Sequence, residues 1–259
     1  MDKATVPQPA EPNARTAKPV LIVLLNDTLC DLARRRGKLA DWISRGLRLP
    51  GGMLAVVDPR GGAELPSPRG LAGVVVTGSA AMVTDREEWS QRTATWLAGA
   101  VAADVPVLGI CYGHQLLAHA MGGLVDYNPN GREFGTVEVR LLPEAADDSL
   151  LSHLPPVFRA QASHHQSVIA LPPGAVPLAA NDHDRCHAFR LGRCAWGVQF
   201  HPEFDADIVR ALTRDRDEGL RADGLNPESI LAAVEETPQA TSVLARFGRI
   251  ATNGTAPAR

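Results

Sequence analysis

Val105-Pro106-Val107-Leu108-Gly109-Ile110-Cys111-Tyr112-Gly113-His114-Gln115 is the stretch that decides the fold. Its short valine-rich run reads as a buried parallel strand, and Leu116-Leu117-Ala118-His119-Ala120-Met121 continues as helix until Gly122-Gly123 stop it. Between strand and helix stands a cysteine fenced by glycines. Gly109 and Gly113 leave room for the close backbone approach that such a turn demands, and the positive end of the helix dipole favours an ionised thiol. Cys111 therefore reads as a nucleophile, against the plain alternative of a small buried hydrophobe.

A thiolate nucleophile needs a base, an orienter for that base and donors for the oxyanion. Ninety residues on, Trp196-Gly197-Val198-Gln199-Phe200-His201-Pro202-Glu203 is a second buried-strand pattern ending in a histidine. In extended chain, positions i and i+2 share a side, so Glu203 is expected to hold the His201 imidazole. Upstream, Gly73-Val74-Val75-Val76-Thr77-Gly78-Ser79 is a third buried run ending in a glycine turn. The amides of Gly78 and Tyr112 are the expected oxyanion donors.

Taken together, G-I-C-Y-G-H-Q, the later F-H-P-E-F and the earlier V-V-V-T-G-S resemble the class I, triad-type glutamine amidotransferases, close to the glutaminase domain of GMP synthetase and its free-standing relatives. The resemblance spans roughly Val20 to Leu212. It implies an α/β three-layer sandwich with a mainly parallel, flavodoxin-like central sheet, and it implies Cys111 as nucleophile, His201 as base and Glu203 as orienter. Gly78 and Tyr112 carry over as oxyanion donors and Gln115 as a glutamine contact. Asn130-Gly131-Arg132-Glu133-Phe134-Gly135 is similar to the R-E-F-G turn of the synthetase relatives. Where those relatives carry S-H-G-D-x-V to grip glutamine, this chain has Ser163-His164-His165-Gln166-Ser167-Val168, without the acid. Ser163, His164, His165 and Gln166 are the substrate-binding candidates, and the H-H-Q run resembles the γ-glutamyl hydrolase branch of the same fold.

Composition agrees with one enzyme domain: 259 residues, 45% hydrophobic and 21% charged, are ordinary for a globular protein. A net charge of −3 without a basic, aromatic-interleaved stripe argues against nucleic acid. Four cysteines make no disulfide framework, and a working thiolate needs a reducing compartment, so the cytoplasm is expected. No apolar run reaches membrane-spanning length. His183, Cys186, His187 and Cys194 fit no compact metal motif, and neither metal nor organic cofactor is expected.

Along the chain, strands are expected at 20–25, 54–58, 73–77 and 105–110, with helices at 28–47 and 85–103. After the elbow helix come shorter strands at 136–142, 168–171, 177–180, 188–191 and 195–200, the last two paired as a hairpin around Gly192-Arg193. Residues 1–18 are expected to be a disordered arm, 19–217 the catalytic domain, 218–249 a helical extension and 250–259 a disordered tail. Within the extension, Asn226-Pro227 and Pro238 open two amphipathic helices, expected to pack on their own domain, or else to dock a partner or second copy or to form a lid over the active site.

The chemistry expected is hydrolysis of the glutamine side-chain amide through a γ-glutamyl thioester, with no P-loop for ATP and hence a separate acceptor subunit or water. A γ-glutamyl peptidase or hydrolase is the alternative. A non-catalytic regulatory protein on this fold is the third reading, against which the complete triad stands.

Overall fold

Runs of four residues rich in valine, leucine and isoleucine, buried on both faces, set the centre of the molecule. The computed structural model describes residues 18–253. In chain order the elements are β1 (Val20–Val23), α1 (Cys30–Arg36), α2 (Leu39–Leu47), β2 (Leu54–Val57), β3 (Gly73–Val76), α3 (Glu88–Ala102), β4 (Val107–Ile110), α4 (Tyr112–Ala120) and β5 (Leu124–Tyr127). There follow β6 (Glu133–Leu141), β7 (Val157–His164), β8 (Gln166–Ala170), β9 (Ala175–Ala180), β10 (Ala188–Leu191), β11 (Ala195–Val198), α5 (Ala206–Asp215), α6 (Asp217–Ala222), α7 (Pro227–Ala233) and α8 (Pro238–Asn253).

The main sheet has the order β2-β1-β3-β4-β11-β10-β9-β6-β7. Its first five strands run parallel, and the rest pair antiparallel. Every residue of β1, β3, β4 and β11 is buried, as strands covered on both faces require. Alternation along β1 sends Val20 and Ile22 into the cluster shared with α2, α5 and α8, and Leu21 and Val23 into the one shared with α3 and α4. Helices thus cover both faces, the layered α/β architecture expected.

Several boundaries differ from the sequence reading. The helix expected over 28–47 is two helices, because Gly37 stands at φ 82 and ends the first of them. The strands β5 and β7 carry no clear periodic signal and lie outside the expected set; β5 pairs with β8 in a separate two-stranded sheet. Segment 218–249 contributes Leu220, Val234, Ala240, Val243, Leu244 and Phe247 to the same apolar cluster as β1, β4 and β11. Of the tail expected to be disordered, residues 250–253 are helical, since α8 runs to Asn253 with Ile250 and Ala251 buried, and 254–259 lie outside the described residues. Of the expected N-terminal arm, residues 1–17 lie outside them too.

Candidate active site

Strands β3, β4 and β11 are adjacent and parallel, with Val76 opposite Gly109 and Val198 opposite Ile110. Their carboxyl ends therefore emerge side by side, and the chain leaving each one delivers Gly78, Cys111 and His201 to the same rim. Residues far apart in the chain meet because three strands are neighbours.

At the elbow, Cys111 sits at φ 51 and ψ −105, a conformation that L-residues rarely adopt, and its amide donates to Val198 O at 2.9 Å. The turn closes only because two positions lack side chains. A β-carbon on Gly109 would lie 2.5 Å from Gly113 C and 2.8 Å from His114 N, and one on Gly113 would lie 2.9 Å from Val76 C. With Cys111 at its N-cap, α4 points its positive end at the thiol.

The expected triad comes together. His201 Nδ1 donates to Glu203 Oε1 at 2.8 Å, and the ring stacks on Phe204 with centroids 4.1 Å apart, which fixes its plane. Gly78 lies between ring and thiol: a β-carbon there would stand 3.0 Å from His201 Cε1 and 3.5 Å from Cys111 Cβ. Burial alone would raise the Cys111 pKa, but the charge and hydrogen bond of His201, then the charge of His164, carry it below the ordinary thiol range. Burial opposes the His201 imidazolium, yet the charges of Glu203 and Cys111 outweigh it and lift its pKa to about 10. The result is a thiolate–imidazolium pair. Among the described residues, no turn or loop carbonyl accepts from the amides of Gly78 or Tyr112, so both remain available as donors.

A cavity of 220 Å³ opens above Cys111, and Ser79, Tyr112, Gln115, Arg132 and Arg216 are among its lining. The remaining substrate candidates, Ser163, His164, His165 and Gln166, line it as well. Several of these side chains are already engaged in building the wall. Gln115 Nε2 donates to Gln166 O at 2.6 Å and to Gln199 Oε1 at 3.0 Å. Gln166 accepts from Val83 N at 3.0 Å and donates to Thr84 Oγ1 at 2.6 Å. Ser163 Oγ accepts from Arg216, and its carbonyl faces Cys111 Sγ at 3.6 Å. Arg216 has no sequence signal, since it lies beyond the H-P-E motif at the junction of α5 and α6. Arg132 stands in the R-E-F-G run, which by itself assigns it no role.

Behind the cavity lies a buried charged cluster. His164 faces two acceptors, Gln166 O at 3.0 Å from Nδ1 and Glu133 Oε2 at 2.9 Å from Nε2, so both nitrogens donate and the ring is an imidazolium. Burial disfavours that charge, but the Glu133 carboxylate raises the pKa. Burial likewise works against ionised Glu133, but the hydrogen bond from His164 and the closeness of the His187 ring hold its pKa well below the carboxylate range. Asn181 Nδ2 donates to the other carboxylate oxygen at 2.6 Å. His187 Nε2 lies 3.0 Å from Oε2, off the hydrogen-bonding direction.

Glu133, His164 and His187 are the group among the described residues whose ligand atoms converge within 4.8 Å. Their nitrogens touch the carboxylate oxygen at hydrogen-bond length, whereas ligands around a tetrahedral zinc stand about 3.3 Å apart. Of the four residues with zinc-type side chains in this part of the sequence, His187 is in the cluster; His183 bonds Gly131 O and Cys194 faces Asp104 O.

Glu133→Gln is expected to cost about 2 kcal/mol in urea unfolding, the worth of a buried hydrogen bond to a charged group. Glu133 contributes stability above its ordinary 4.5, lost as pH falls through its depressed value. His164 contributes below its ordinary 6.5, lost as pH rises through its elevated value. The gap between native and variant should therefore be largest in the window where both are charged and narrow on either side. A gap independent of pH would refute the ion pair.

The model of the family described as glutamine amidotransferase class-I matches residues 67–209. A GMP synthase (glutamine-hydrolyzing) of Aeropyrum pernix is 39% identical over 132 residues, 51% of this chain and 24% of that protein. A Halobacterium salinarum protein, named as one subunit of GMP synthase (glutamine-hydrolyzing), is 40% identical over 103 residues, 39% of this chain and 54% of that protein. The match thus spans about a quarter of one relative and about half of the other. A glutamine amidotransferase structure from Methylobacillus flagellatus superposes with TM-score 0.73 at 25% identity, covering 94% of this chain and 97% of that one. A second, from Thermotoga maritima, superposes with TM-score 0.69 at 20% identity, covering 93% of this chain and 100% of that one; it speaks for the fold alone. No described helix is long and apolar enough to cross a membrane.

Proposed function

This chain belongs to the class I glutamine amidotransferase family, and we propose that it hydrolyses the side-chain amide of glutamine through a thioester on Cys111. The observation that carries the reading is the delivery of Gly78, Cys111 and His201 by three adjacent strand ends, with Glu203 on the far nitrogen of the ring at 2.8 Å.

The sulfur of Cys111 attacks the amide carbon, and the carbonyl electron pair moves to an oxyanion received by the Gly78 and Tyr112 amides. As the tetrahedral intermediate collapses, the C–N bond breaks and the His201 imidazolium gives its proton to the leaving ammonia. Neutral His201 then takes a proton from water, which attacks the thioester and releases glutamate and the thiolate. Glu203 holds the tautomer and stabilises the imidazolium throughout.

The H. salinarum relative carries the name of one subunit of its enzyme, which supports a separate acceptor chain as the destination of the ammonia. A reduced thiol at Cys111 fits a reducing compartment such as the cytoplasm. Gln166, in the place of the acid of the synthetase relatives, favours as a second reading a γ-glutamyl hydrolase with water as acceptor.

The test is labelling with a glutamine-mimicking chloroketone, read by peptide mass spectrometry. We expect one adduct, on Cys111, forming about 100-fold faster than on Cys186 or Cys194, whose thiols burial pushes up in pKa. Because the Cys111 pKa is lowered, its labelling should persist well below the ordinary thiol range and fade only as pH falls through that lowered value. His201→Ala should move the fade upward. Preferential labelling of another residue would overturn the assignment.

A further inference from the structure

We propose that the cavity over Cys111 is built for the anionic end of its substrate and not for an ammonium, so that the substrate class is a carboxylate-terminated ω-amide in which the α-amino group is dispensable. The inference rests on the reading of Cys111 as nucleophile, and it narrows what that nucleophile meets.

Two guanidinium groups and two histidines line the cavity, and among its described lining residues there is no aspartate or glutamate. Arg216 is held by one bond, NH1 to Ser163 Oγ at 2.9 Å, and among the described residues no carboxylate lies within ion-pair reach of it. Burial and the nearby charge of Arg132 both press on its protonated form. Arg132 is fixed more firmly: its side chain is 7% exposed, NH1 meets Asp223 at 2.9 Å, and the guanidinium lies 5.0 Å over the Phe134 ring. Its Nε, however, is buried without a partner. A buried guanidinium N–H left unpaired, beside a second guanidinium that meets only a hydroxyl, is a donor set lacking its acceptor. A planar carboxylate is the acceptor that such forks fit.

The same wall offers an ammonium no anionic partner. Gln166 stands where an acid would receive it, and its amide is turned to Val83 N and Thr84 Oγ1. Glu133 is enclosed by His164, His187 and Asn181. Asp223 is engaged with Arg132 and stands 3.8 Å from His165 Nε2. Glutamine satisfies the cavity through its α-carboxylate, while its α-ammonium enters a field set by cations. An amide of the same length without the amino group meets the donors equally and avoids that repulsion.

The experiment compares three substrates on the full chain: glutamine, 4-carbamoylbutanoate, which lacks the amino group, and glutamine α-methyl ester, which lacks the free carboxylate. We expect kcat/KM for the first two to agree within about threefold and the ester to fall about 100-fold, the loss typical of a removed charge partner. Arg216→Met should raise KM for both acids about 30-fold at nearly unchanged kcat, and Arg216→Lys should fall between. A preference for glutamine over the des-amino amide above about 100-fold would overturn the proposal, as would a KM indifferent to Arg216→Met in a variant of unchanged melting temperature. Calorimetric binding of 4-carbamoylbutanoate to Cys111→Ala separates this from failure of the mechanism. Binding that Arg216→Met abolishes, in a Cys111→Ala protein that still hydrolyses glutamine, would sink the nucleophile assignment alone. Binding that requires the ammonium would sink the present inference alone.

Discussion

Cys111→Ala is expected to lower glutamine hydrolysis by at least about 10⁴-fold, since the groups of a triad act as a unit and removing the nucleophile leaves only binding and the oxyanion donors. The loss should fall on kcat. The fold should survive it: alanine meets the same backbone strain at φ 51 as cysteine does, and although the side chain gives up its pairing with His201 and the weak contact of Sγ to Ser163 O at 3.6 Å, the imidazole keeps Glu203 as its partner. Melting temperature should therefore shift by only a few degrees, about what 1 kcal/mol produces in a domain of this size. Adding His201→Ala to Cys111→Ala should cost almost nothing further, because the imidazole has no thiolate left to serve. Glutamate release above a hundredth of the native rate, measured in purified Cys111→Ala, would be incompatible with the thioester route.

Gly109→Ala should be a severely damaging addition of a single methyl group, destabilising the fold by about 3 kcal/mol or more. Most small-to-large changes push against flexible side chains. Here the new β-carbon would stand 2.5 Å from Gly113 C and 2.8 Å from His114 N, both main-chain atoms of the first turn of α4. Relief requires α4 to lift from β4, and lifting α4 moves the Cys111 thiol and the Tyr112 amide together. Urea unfolding should show the lowered midpoint, and any folded fraction should label slowly at Cys111. Gly99→Ala, in α3 with open space at its β-carbon, is the control: it should be neutral or slightly stabilising, because alanine is the better helix former. Native stability in Gly109→Ala would mean that the elbow is looser than its geometry implies.

How much of this site is legible in the chain follows from the kind of signal each residue carries. Cys111, Gly78 and His201 each follow a buried, largely apolar run, so a local pattern marks them, and Glu203 follows at a fixed offset. Glu133 lies in a recognisable R-E-F-G turn, yet nothing in that turn tells that its carboxylate bridges His164 and His187. Arg216 is invisible. It faces the cavity because α5 ends at Asp215 and the chain turns there, and no periodicity reports which side of a helix junction a long side chain takes. The strands β5 and β7 escape for a related reason. Leu124 and Tyr127 are exposed, and β7 mixes buried alanine with arginine and glutamine, so neither shows clean alternation.

Sequence alone determined the parallel α/β core, the strained cysteine turn and the histidine and glutamate that end a neighbouring strand, because glycine spacing and apolar runs are local consequences of backbone sterics and burial. Only the tertiary structure decided that β3, β4 and β11 are neighbours, that His164 is a buried imidazolium on Glu133, and that Arg132 and Arg216 face the thiol across one cavity. Those are pairings between residues tens of positions apart, set by which surfaces bury best together and not by any pattern along the chain.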